Sequence, residues 1–201
     1  MIISGTVHVR CPACAHEADV AITQSINTRE KPELKERLLA GDFNVLVCAQ
    51  CGQRTPLETN LSFYDPDREY FCVATPGDDA LGESALRAMG NVGTRRLVPS
   101  KNALVEKVKI LEAGLDDRVI EVLKVLLLAS RELDLNSVLL FERVDREAAT
   151  LTWLLLDDEQ VLTSPLAAYD KLAATLKPSQ DLRIDRAWAV EAAREMMTSA
   201  N

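Results

Sequence analysis

Alternation of apolar and polar side chains opens the chain. Val7 and Val9 share one side of a strand predicted over residues 6–10, and Val20, Ile22, Gln24 and Ile26 form a second alternating run. A short helix follows over residues 33–40, with Pro32 suited to its first turn and Gly41 placed as a C-cap. Phe43, Val45 and Val47 alternate again, and residues 69–74 predict another strand. Beyond residue 100 the period lengthens. Leu104, Val108, Leu111 and Leu115 recur at i, i+4, i+7 and i+11 behind Ser100 as N-cap, which makes one helical stripe. Asp116 caps a second helix, running to about Leu133, whose apolar residues cover most of its circumference. Such a helix is predicted to be central and buried, with Asp117, Glu121, Lys124 and Arg131 as its polar stripe. Glu106 with Lys109, and Lys107 with Glu112, read as the solvated face of the preceding helix. Residues 138–141, 151–156 and 160–162 predict short strands, and residues 165–176 and 185–198 predict helices.

Between these halves the pattern fades. Residues 76–93 gather Pro76, Gly77, Gly82, Gly90 and Gly93 with few large apolar side chains, and predict a linker or flexible loop. The expected organisation is a first lobe over residues 1–75, that linker, and a helix-rich lobe over residues 94–201.

All five cysteines precede the linker. Cys11-Pro12-Ala13-Cys14 and Cys48-Ala49-Gln50-Cys51 are two C-x-x-C pairs separated by 33 residues. Two intervening residues let one tight turn aim both sulfurs at a point, and two such turns supply the corners of a tetrahedron. Zinc prefers that geometry. The expected ligands are therefore Cys11, Cys14, Cys48 and Cys51, holding one structural Zn²⁺. A redox pair and disulfides are the alternatives. Four thiolates close the coordination shell, so no catalytic residue is assigned to the site. Its contribution would be to folding, on the order of 10 kcal/mol in small zinc modules. Gly52 directly follows the second pair, where a left-handed backbone suits the turn. Cys72, in the apolar run Phe71-Cys72-Val73, reads as a buried residue. His16, two residues past Cys14, is the one alternative ligand, and His8 is the only other histidine. The expected fold class is α+β, a zinc-ribbon-like β lobe with two knuckles plus a helix-rich C-terminal lobe.

These residues resemble the bacterial CpXC-domain family. The likeness rests on Cys11 to Cys14, Asn27, the run Pro32-Glu33-Leu34-Lys35 with Leu38, Leu39 and Gly41, then Cys48 to Gly52 and Tyr64-Asp65. It continues through Leu104-Val105-Glu106-Lys107 and Gly114-Leu115-Asp116-Asp117 to Glu121 and Lys124. It covers about residues 5–130, which places the domain within 1–130. Where the family usually has glycine after the first pair and proline inside the second, this chain has Ala15 and Ala49. The resemblance implies the four zinc ligands and adds no activity.

Composition narrows the classes of function. The chain has 201 residues, 47% hydrophobic and 27% charged, as a globular protein does. Its longest apolar run, residues 125–129, is far short of the about 20 residues of a membrane span. No basic, apolar leader pattern opens it, so a cytoplasmic location is expected. The net charge of −8 disfavours a purely electrostatic nucleic-acid binder. No glycine-rich phosphate cradle is present. The leading expectation is a non-enzymatic, zinc-stapled interaction or adaptor module of a bacterial assembly, with a protein partner or a second copy. Trp188, Ala192 and Met196 give its last helix an amphipathic face for such a partner. One alternative is a zinc-ribbon nucleic-acid binder, which needs Arg10, Arg29, Lys31, Lys35, Arg37 and Arg54 on one face. The other is a metal-dependent enzyme built on Asp116, Asp117 and Glu121.

Overall fold

A computed structural model describes residues 3–90 and 93–199. It is a mixed α+β chain that divides into two compact units, residues 1–105 and 106–201.

The first unit opens with an antiparallel hairpin, β1 (Ser4–Arg10) and β2 (Glu17–Thr23), paired from Ser4↔Thr23 to Arg10↔Glu17. The second alternating run then splits. Gln24 interrupts it: its N–H bonds the carbonyl of Ile3, and its carbonyl takes the N–H of Ser62. Ser25 and Ile26 therefore belong to a separate strand, β3 (Ser25–Asn27), in another sheet. Helix α1 (Pro32–Leu39) forms as its pattern predicts, burying Leu34 and Leu38. A second small hairpin follows, β4 (Val45–Val47) and β5 (Arg54–Pro56).

A four-stranded sheet, ordered β3-β6-β7-β8, completes the unit with β6 (Leu61–Asp65), β7 (Tyr70–Ala74) and β8 (Thr94–Val98). Every residue of β7 is buried, Cys72 among them. The stretch expected to be a linker instead carries helix α2 (Asp79–Ala88), N-capped by Asp78, whose carboxylate accepts the N–H of Leu81 at 3.0 Å. Gly82 is part of that packing. A Cβ there would lie 2.3 Å from Leu97 Cδ1 and 2.9 Å from Thr75 Oγ1, so glycine lets α2 close on the sheet. The division between units falls at Val105/Glu106, within α3 (Lys101–Glu112), and not in the glycine-bearing stretch. At the start of α3, buried Lys101 donates from Nζ to the carbonyls of Phe43 (3.2 Å) and Leu57 (3.1 Å).

The second unit is built around α4 (Asp117–Ser130), capped by Asp116, with nine buried residues. Val119, Ile120 and Leu123 pack with Leu139, Phe141, Leu151 and Trp153 of the antiparallel sheet β11-β10-β9. Its strands are β9 (Leu139–Asp145), β10 (Thr150–Leu155) and β11 (Gln160–Pro165). Trp153 is fully buried and donates from Nε1 to Ser164 Oγ at 2.9 Å. On another side of α4, Val122 and Val125 pack with Ala189 of α6 (Arg186–Ser199), flanked by Leu172 of α5 (Leu166–Ala173). Most apolar residues of α4 thus meet neighbours, while Leu126 stays exposed. Among the described residues, no helix is long and apolar enough to cross a membrane.

Candidate metal centre

Each C-x-x-C pair occupies the turn of a hairpin, and the two turns have one geometry. In the first, the N–H of Ala15 bonds the Cys11 carbonyl (2.9 Å) and the N–H of Cys11 bonds the His16 carbonyl (2.8 Å). In the second, Gly52 N–H bonds the Cys48 carbonyl (2.9 Å) and Cys48 N–H bonds the Gln53 carbonyl (2.9 Å). The residues flanking the turns pair equivalently, Arg10↔Glu17 and Val47↔Arg54. The fifth residue of each turn is left-handed, with φ of 61° at Ala15 and 73° at Gly52. Glycine adopts that conformation freely, whereas alanine is strained in it.

The two turns bring the four sulfurs of Cys11, Cys14, Cys48 and Cys51 within 4.8 Å of one another, positioned to bind a metal ion. Cys11 Sγ lies 3.7 Å from Cys51 Sγ, and Cys14 Sγ lies 3.5 Å from Cys48 Sγ. Cys11 and Cys48 are buried against Leu46, with Val9, Val20 and Leu57 around them, while Cys51 is exposed. All five cysteines are free thiols. The protons are unevenly held. Backbone N–H groups, first that of Cys51, hold the Cys48 thiol down to about 6, against its desolvation. The His16 N–H also draws Cys14 down, but desolvation and the three neighbouring sulfurs push it up to about 12. A metal ion would displace these protons as it bound.

The other sequence candidates take different places. His16 is not in the sulfur cluster. His8 sits on the exposed face of the hairpin, 2.9 Å from Asp19 Oδ1 and 3.6 Å from Glu17 Oε2, and the Asp19 hydrogen bond is the main cause of its raised pKa. Several cations needed for a nucleic-acid face have acidic neighbours. Arg29 pairs with Asp67 and Arg54 with Asp42, while Lys35 lies 3.9 Å from Glu36. Arg37 and Arg10 donate to the carbonyls of Asp42 (3.2 Å) and Ala15 (3.3 Å).

The carboxylates at the start of α4 are met by cationic side chains of the chain itself. Asp116 caps the helix and pairs with Arg118. Asp117 and Glu121 each lie 3.0 Å from Lys107 Nζ, which also donates to the Ile184 carbonyl at 3.0 Å. Glu121 Oε2 meets Lys124 Nζ at 2.8 Å, and Lys124 donates to both oxygens of Glu106 at 3.2 and 3.1 Å. Glu106 in turn accepts the Phe141 N–H at 2.6 Å. These five charged residues are buried, which corrects the expectation that Glu106 and Lys107 face solvent. Burial alone would raise Glu121, but Lys107 and Lys124 hold it below the usual carboxylate range. Burial pushes Glu106 the other way, above that range. The periodic pattern marked a polar stripe here and gave no sign of what would cover it.

The site thus defines a protein with two hairpin knuckles whose four thiols are positioned to bind a metal ion. The model for the CpXC protein matches residues 9–124, more than half of the chain, and the chain belongs to that family. No curated protein and no solved structure matches it.

Proposed function

We propose that this protein is a zinc-stapled protein-interaction module, a subunit or adaptor of a larger cytoplasmic assembly in a bacterium. The carrying observation is the sulfur spacing. Zinc held by four sulfurs at about 2.3 Å has tetrahedral edges of about 3.8 Å. The pairs at 3.7 and 3.5 Å support that ion and require little movement to receive it. Two hairpin turns facing one another also support a zinc-ribbon-like reading of the site. Cys11, Cys14, Cys48 and Cys51 would hold the zinc and leave no coordination position for water. The metal would therefore supply cross-linking between the hairpins and no Lewis-acid chemistry. The pairing of Asp117 and Glu121 with lysines further favours an interaction role over a carboxylate-metal enzyme.

Elemental analysis with native mass spectrometry tests the metal, with about one zinc per chain expected and none bound by Cys11→Ser or Cys48→Ser. Folded wild-type protein without metal would overturn it. A tagged capture from the host, with and without nuclease, tests the role. The same protein partners after nuclease support the module. Partners lost with nuclease would replace it by nucleic-acid binding.

A further inference from the structure

We propose that a groove between the 175–181 loop and α6 docks a basic amphipathic helix of a partner protein. This deepens the interaction-module reading and rests on it. The open groove has a volume of about 760 Å³ and lies outside the residues that the family model matches. Its floor is apolar, formed by Leu176, Pro178, Trp188, Ala192 and Met196. Trp188, Ala192 and Met196 recur at i, i+4 and i+8, a strip of about 12 Å at 1.5 Å per residue. Two turns of a docked helix would cover that length, with anchors at the spacing used by helix-in-groove complexes.

The rim identifies the partner's charge. Asp181, Glu191 and Glu195 line it together with Lys177, and Glu191 also lies 3.7 Å from Arg194 in an exposed pair, which leaves the carboxylates in excess. Trp188 donates from Nε1 to Asp181 Oδ2 at 2.9 Å, which ties the loop to α6 and fixes the indole beside an acid. An indole next to carboxylates suits an arginine or lysine, held by charge and by the ring face. A second copy would bring another −8 of net charge to an acidic rim, so the complementarity favours a basic partner over self-association. The groove is a trough with Glu191, Glu195, Thr175 and Lys177 exposed, and not an enclosed cavity of the kind that buries most of a small ligand.

The test uses the full-length, metal-loaded protein and an 18-residue lysine-leucine-alanine peptide patterned as an amphipathic helix. Its control replaces every lysine by glutamate. Calorimetry should give saturable one-to-one binding of the lysine peptide alone, with a shift in tryptophan emission. That shift reports Trp188, because Trp153 is fully buried. Glu191→Lys with Glu195→Lys should weaken binding by about tenfold or more. Glu147→Lys with Asp158→Lys makes the same change in net charge at exposed turns outside the groove, and should leave binding within about twofold. Equal binding of the two peptides, or an equal loss from both double reversals, would overturn the proposal. So would dimerisation abolished by Trp188→Ala. The two readings fail separately. Host partners that survive the Glu191/Glu195 reversal would leave the module standing without this groove. A protein that binds the peptide but captures no host partner would leave the groove without the module.

Discussion

The two units gather polar groups at their centres by opposite means. In residues 1–105 four thiols from two hairpin turns converge on an apolar cluster that holds only three fully buried side chains, Cys11, Leu46 and Cys48. In residues 106–201 five charged side chains converge among buried residues of α3, α4 and β9, beside a core of ten buried apolar residues. The first arrangement is positioned to bind an external ion, which would balance its sulfurs once they lose their protons. The second supplies both signs of charge itself, with each lysine bridging two carboxylates. The difference is one of dependence. A site completed by a metal is lost with the metal, whereas an internal network fails only when one of its own members is removed.

The largest expected effect tests that dependence. Cys48→Ser, or chelation of the wild type, removes a binding energy on the order of 10 kcal/mol in modules of this kind. Hydrogen exchange should then show β4 and β5 unprotected, while α4 keeps its protection. Simultaneous loss of protection in α4 would mean that the metal holds both units, and the contrast between them would disappear.

The network should respond next. Removing one partner from a buried pair leaves an uncompensated charge and costs ~3–5 kcal/mol. Lys107→Met is expected to destabilise by that amount in denaturant unfolding while metal content stays at the wild-type value. A loss below about 1 kcal/mol would show that water reaches Asp117 and Glu121 and that the network is not a closed one.

These two sites also differ in how far the sequence exposes them. The cysteine site is legible because its geometry is local. Two residues between cysteines fix one turn, and the second pair repeats it. The structure adds only which sulfurs lie together. The network is not legible, because helical period marks Glu106, Lys107, Asp117, Glu121 and Lys124 as polar without saying what faces them. Phe141 and Ile184, which complete it, lie far along the chain. One clue was available: α4 is apolar over most of its circumference, so much of its polar stripe also had to meet protein, although Arg131 at its end stays exposed. The glycines of residues 76–93 mislead for a related reason. Glycine signals freedom in a loop and close approach in a packed helix, and Gly82 serves the second purpose against Leu97. Similarly, the alternation through residues 20–26 is continuous, yet Gln24 hands the chain from one sheet to another.

Changing pH should separate the units without mutation. Lys107 is desolvated, but Glu121, Asp117 and Glu106 together raise its pKa above the ordinary 10.5. A raised lysine contributes stability that is fully present below its unfolded value and is lost as pH rises through the folded one. Unit two should therefore weaken above about pH 10.5, where a metal bound to the four sulfurs of unit one would keep them deprotonated and stay in place. Glu121, held below 4.5, contributes above that value and loses its contribution as pH falls through its lower folded one. Glu106, raised by burial, acts in the opposite sense, so the acid response of unit two is a difference between the two carboxylates. On the acid side protons compete directly for the thiolates, and metal release should precede the loss of α4 protection. Metal content and exchange followed across one titration check both arms, and release of metal at high pH before α4 opens would contradict the assignment.

The smallest effect is the most local. Within unit one the two knuckles share the two backbone hydrogen bonds that close each turn but differ at the left-handed position, which is Ala15 in the first and Gly52 in the second. An L-residue is strained there by roughly 1–2 kcal/mol, of which glycine's greater freedom in the unfolded chain returns part. Ala15→Gly should thus stabilise the metal-loaded protein by about 1 kcal/mol, with no change in metal stoichiometry. Gly52→Ala should cost about the same, because a Cβ there meets nothing within 4 Å and only the backbone is strained. The double variant moves the alanine from one knuckle to the other and should return close to the wild type. Chemical denaturation of all four proteins measures the cycle. If Ala15→Gly is neutral while Gly52→Ala is costly, the knuckles are not equivalent and the second hairpin carries more of the site's rigidity than the first.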